Sequence, residues 1–76
     1  MYDEILEILQ DIRSDVDFES EEALVDDEIL DSFDIVSLAG ELLDRYGIQV
    51  TAGDLEPENF NSVEAIVEFV KKKQAE

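Results

Sequence analysis

Apolar residues fall into three periodic stretches separated by two aperiodic ones. In the first, Ile5, Leu9, Ile12 and Val16 recur at helical spacing, and Leu6 and Ile8 widen the stripe. That spacing predicts an amphipathic helix over 3–14. Asp3 can cap it, and Asp3, Glu4 and Glu7 suit its positive N-terminal end. Residues 15–31, DVDFESEEALVDDEILD, hold no sustained period. They predict one long loop, longer than compact domains usually carry. Its apolar residues, Phe18, Leu24, Val25, Ile29 and Leu30, are expected to pin it to a core. A second helix is predicted over 32–46. Ile35, Leu38, Ala39, Leu42 and Tyr46 line one face, and Phe33, Val36, Ser37 and Gly40 another. Gly47 stands where a helix-ending glycine belongs. IQV (48–50) reads as a short extended link. TAGDLEPENF (51–60) reads as a loop with at most one helical turn, Pro57 fitting its first position. NSVEAIVEFVKKK predicts the last helix, with Val63, Ile66, Val67 and Val70 as its buried stripe. Asn61 with Glu64 forms a capping-box pattern, and Ser62 is the alternative cap.

The pattern describes a single domain over 1–76, all-α, with three main helices, one short one and a long first loop. A chain of 76 residues has a modest core, since domains this small bury only about 60% of their unfolded surface. A deep catalytic cavity is not expected. No stretch approaches the ~20 apolar residues of a membrane span and no signal-peptide pattern opens the chain, so a soluble, cytoplasmic protein is expected.

Charge sharpens this. Twenty-two acids face five bases, a formal net charge of −17. Nucleic acid and anionic membranes would repel that surface. Basic partners would be attracted over long range. Fourteen of the acids lie within residues 1–34, and three of the bases form the run Lys71, Lys72, Lys73. Lysines in a last helical turn complement its negative end. The chain has no Cys and no His. A thiolate nucleophile, a zinc-thiolate site and the usual hydrolase triad are therefore excluded.

Two acidic chemistries are weighed and set aside. Asp15, Asp17 and Glu19 match the first, third and fifth ligands of an EF-hand loop. However, Ser20 replaces the required Gly and Asp26 the bidentate Glu. A solvated acidic loop is the reading adopted, and no specific metal site is assigned. Carboxylate catalysis needs a pair set apart by burial, and no pair stands out here.

The remaining feature is Ser32, at the mouth of the second helix between Asp31 and Asp34. Serine is a favoured N-cap, which would explain it alone. Its setting suggests more. A long loop delivers the chain there, and Phe33, Val36 and Gly40 face away from the predicted core. Asp31, Asp34, Glu41 and Asp44 ring that face with negative charge. A phosphate joined to Ser32 would meet the helix's positive end.

LDSFDIVSL resembles the phosphopantetheine attachment motif of acyl carrier proteins. The order of the remaining segments agrees: an acidic first helix, a loop ending DDEILDS, a second helix closed by RYGI, and NFNSVEAIVEFV as the last helix. The resemblance covers about residues 2–73 and implies a small right-handed four-helix bundle. It implies that Ser32 receives 4′-phosphopantetheine from coenzyme A through a transferase, for which Asp31 marks the recognition site. It implies a carrier rather than an enzyme. The arm's thiol would hold acyl or aminoacyl groups as thioesters and shuttle them in fatty-acid, polyketide or related biosynthesis. Loading ligases and synthases with basic patches would meet Asp34, Glu41 and Asp44, with Phe33, Val36 and Gly40 at the apolar contact. The carrier would act as a monomer. Leu38, Leu42, Tyr46, Phe60, Val63 and Ile66 would form the core, some lining a cleft for apolar cargo. Phe33 stands where the family most often has Leu. Ser37 and Gly40 replace an acid and a Met-like residue, and the DLEPENFNSVEAI region is slightly long. These departures are nearer to stand-alone carriers of specialised pathways, including aminoacyl and D-alanyl carriers. The alternative reading is a non-enzymatic acidic domain binding a basic partner through the second helix.

Overall fold

The computed structural model describes residues 1–75 and is all-helical. Helix α1 spans Tyr2–Ile12, α2 Ser32–Tyr46, α3 Pro57–Phe60 and α4 Val63–Ala75, with one 3₁₀ turn at Ala52–Asp54. Helix α1 packs on both α2 and α4, α2 also meets α4, and the short α3 lies on α4. The result is a small four-helix bundle, 32 × 23 × 19 Å along its principal axes.

Each helix buries the centre of the stripe its spacing predicts, while Ile12, Ile35 and Ala39, also expected on the inward faces, are half-buried. Ile5, Ile8 and Leu9 go inward from α1, Leu38 and Leu42 from α2, and Val63, Ile66, Val67 and Val70 from α4. Phe60 is also buried, and Tyr46 is half-buried against the same core. Phe69 was not in the predicted stripe but is buried too, its ring tilted 54° against Phe60 at 5.1 Å between centroids. Helix α1 begins one residue earlier than predicted. Its N-cap is Met1, so Asp3 and Glu4 lie inside the first turn and act on the helix dipole rather than as caps. Gly47 closes α2 in the left-handed conformation (φ 66°), its N–H bonding Leu43 O, a backbone state that costs glycine little.

The long loop is irregular but fastened. Phe18, Leu24 and Leu30 enter the core, and Val25 and Ile29 pack against it. Leu30 N–H donates to Leu24 O at 2.9 Å, and Leu24 N–H to Asn61 O at 2.8 Å. The Asn61 side chain then accepts from the N–H groups of Val25 and Asp26 and donates to the Asp26 carboxylate. Asn61 therefore ties the loop and does not cap α4. Ser62 takes that role, its hydroxyl accepting from Ala65 N–H at 3.0 Å. Residues 15–26, compared above with a calcium loop, are a chain of turns. No group of three or more carboxylates among the described residues is arranged to hold a metal ion.

Candidate functional site

Three things meet at the head of α2: the end of the long loop, the C-terminal end of α1 and an exposed helix entrance. Asp31 is the N-cap. Its carboxylate accepts from Asp34 N–H at 2.9 Å, and the Asp34 carboxylate accepts from Asp31 N–H at 3.2 Å. This reciprocal box satisfies two donors that a helix end would otherwise leave unpaired. Ser32 is thus the first helical residue and not the cap. It is exposed, with its hydroxyl outside the capping box. The N–H groups of the first turn not used by the box are the kind that favour an anion.

Asp34, expected on the outer surface with Asp44, is instead turned inward. Its side chain is 13% exposed, and it pairs with Arg13 Nη1 at 3.3 Å as well as closing the box. Arg13 also donates to Ile29 O at 3.4 Å and, through Nε, to Asp15 at 3.4 Å. The bonds to Asp15 first, and to Asp34 second, raise the Arg13 guanidinium pKa. The Arg13 bond holds the Asp15 carboxyl below its ordinary value. Nothing in the local pattern marks Arg13 as part of this site. Its only signal is that it is a lone base in the acid-rich first half of the chain.

An open groove of about 520 Å³ runs beside Ser32. Val25, Leu30, Ile35, Val36 and Leu55 supply apolar walls, and Glu28, Asp31 and Ser32 the polar ones. Leu38, Leu42, Tyr46, Phe60, Val63 and Ile66, expected to form the core with some of them lining a cleft, pack in or against the core, and none of them lines this groove. The wall comes from the long loop, from one edge of α2 and from Leu55, which follows the 3₁₀ turn. Glu28 holds a left-handed backbone (φ 58°), a conformation that costs a β-carbon-bearing residue roughly 1–2 kcal/mol.

The outer face of α2 is apolar for a solvent-facing surface. Phe33 is 83% exposed, Val36 66% and Leu43 54%. Leu43 follows Val36 by two helical turns, so spacing could have identified it with the others. Gly40 lies between them, and a β-carbon there would meet nothing within 4 Å. Glu41 and Asp44 are exposed alongside, Glu41 pairing with Arg45 at 3.3 Å. Ser32, Asp31, Phe33, Val36, Gly40, Glu41 and Asp44 therefore share one accessible end and side of α2, while Asp34 faces the interior of the turn. No helix of the described residues is long and apolar enough to cross a membrane.

Residues 3–70 match a family model described as a phosphopantetheine attachment site. No curated protein matches the chain significantly.

Proposed function

The chain belongs to the phosphopantetheine-attachment family, carrier domains that bear covalent 4′-phosphopantetheine, and we propose that Ser32 is the residue that takes the arm. The observation that carries this is the position of Ser32. It is the exposed first residue of a helix whose cap is supplied by its neighbours, so its hydroxyl has no structural duty to abandon. A transferase would make the bond from Ser32 Oγ to the phosphorus next to pantetheine in coenzyme A. The pyrophosphate linkage breaks, the nucleotide 3′,5′-bisphosphate leaves, and the serine proton passes to a base on the transferase. The phosphate then stands at the positive end of α2. Asp31, one residue before, is proposed to mark the site for the transferase.

When bound, the arm supplies a thiol that holds an acyl or aminoacyl group as a thioester, chemistry that a chain without cysteine does not otherwise possess. The chain's own part is to carry and present. Its groove can receive apolar portions of the arm along Val25, Ile35, Val36 and Leu55. The docking side proposed for transferase, ligase and synthase partners is Phe33, Val36 and Gly40, extended by Leu43 and edged by Glu41 and Asp44. Basic patches on those enzymes would complement the edge. Asp34 is assigned an internal role there. A cytoplasmic monomer that serves enzymes without being one is the role this arrangement suits.

Intact mass after incubation with coenzyme A and a broad-specificity phosphopantetheinyl transferase tests the assignment. The wild type gains one phosphopantetheine and Ser32→Ala gains none. An unmodified wild type, or an adduct undiminished in Ser32→Ala, refutes it.

A further inference from the structure

The capping box beside Ser32 is not self-contained. Asp34 Oδ2, which accepts from Asp31 N–H, is also held by Arg13 at 3.3 Å. Arg13 is the residue that ends α1, and the same Nη1 donates to the carbonyl of Ile29, two residues before the cap. A continuous chain of bonds therefore runs from the end of α1, through Arg13 and Asp34, to the residue immediately before Ser32. The loop that delivers residues 29–31 is irregular, and a helix entrance of this kind frays unless something holds it. The guanidinium is suited to the task. Its planar fork reaches a carbonyl, a carboxylate of α2 and Asp15 together, which an ammonium does not.

We infer that Arg13 is a positioning residue for the modification of Ser32, fixing the head of α2 so that Oγ is presented in one place. The inference rests on Ser32 being the attachment point. It makes a prediction opposite in sign to simple electrostatics. Removing a positive charge from a chain of −17 should hasten its encounter with a basic enzyme. Removing a strut should slow the reaction, because a misplaced nucleophile loses rate even when it is chemically intact.

The experiment measures kcat/KM for phosphopantetheine transfer by a broad-specificity transferase, at a temperature where every variant is folded. Arg13→Gln is expected to lower it about tenfold. Asp34→Asn is expected to lower it similarly, and the double variant no further than the worse single one, since both remove the same link. Arg13→Lys should recover part of the loss, because one ammonium can take the place of Nη1 on Asp34 but brings no second nitrogen to Asp15. Val70→Ala, in the core of α4, supplies a variant destabilised without touching this link. It should keep the wild-type kcat/KM while melting lower. Wild-type or faster transfer to Arg13→Gln overturns the inference. So does multiplication of the two single losses, or an equal loss in Val70→Ala. If the wild type itself accepts no arm, the assignment of Ser32 fails first, and the inference with it.

Discussion

Asp31 holds the first turn of α2 through its side chain, whereas Ser32 begins the helix with its hydroxyl outside the cap. Their truncations should separate. Asp31→Ala is expected to cost about 1 kcal/mol, the usual worth of an N-cap. Ser32→Ala should stay within about 0.5 kcal/mol of wild type, as exposed substitutions away from such features do. Urea unfolding of the unmodified proteins measures both, and equal losses would contradict the assignment of the cap. Which of the two residues caps could not be read locally, because Asp and Ser are both good caps and the choice turns on one residue of register. Gly40 poses a second residue-scale question. Mid-helix glycine costs about 0.5–1 kcal/mol against alanine, and here a β-carbon would meet nothing within 4 Å. Gly40→Ala should therefore raise the melting temperature, by about 4–8 °C for each kcal/mol in a domain this size. A fall would mean that the space beside Gly40 is needed inside the molecule.

At the scale of elements, the helices were legible because their information is local. Periodic apolar residues set α2 at Ser32–Tyr46 and placed Gly47 at its end. The fastenings between elements were not legible. Asn61 reads as a cap, yet its side chain bonds the loop at Val25 and Asp26, 36 and 35 residues earlier. Arg13 stands out only as a lone base among acids, yet it reaches Asp34 across 21 residues. Pairings of this kind leave no period in the chain. The lysine run at the end shows the same limit. Helix-dipole complementation accounts for it locally, but Lys73 also bonds Asp54 at 2.7 Å and ties the 3₁₀ turn to α4. Lys73 chiefly, with the N–H and hydroxyl of Thr51, holds the Asp54 carboxyl at about 2, below the ordinary value of 3.8. A carboxyl whose folded pKa is depressed stabilises the fold above its unfolded pKa, and loses that contribution as pH falls through the folded one. The melting-temperature gap between wild type and Asp54→Asn should thus be widest above about pH 5 and close between about pH 4 and 2. A gap that stays constant over that range would show that Asp54 stabilises the turn without its charge.

At the scale of the whole molecule, attraction of basic partners and self-repulsion have one source. Ion pairs engage Glu4, Asp15, Asp34, Glu41 and Asp54, but most of the other acids stand exposed on a body 32 Å in its longest dimension. At low ionic strength these charges act on one another across the entire surface. At about 0.1 M salt the screening length falls to about 10 Å, and repulsion between the two ends of the bundle is largely removed. The core that must resist it is small, fifteen buried apolar residues, and among those described no polar or charged residue is buried with them. Screening should therefore stabilise the fold visibly. The melting temperature is expected to rise by several degrees from about 10 mM to about 150 mM salt, and Mg²⁺ should achieve the same at lower concentration. The opposite trend is expected for docking. Association of the carrier with a basic transferase should slow over the same range, since the attraction that steers encounter is screened together with the repulsion. Stability and association rate thus respond to salt with opposite signs. A flat melting temperature would mean that the surface acids are already compensated. An association rate that ignores salt would mean that the apolar side of α2 does the steering without them.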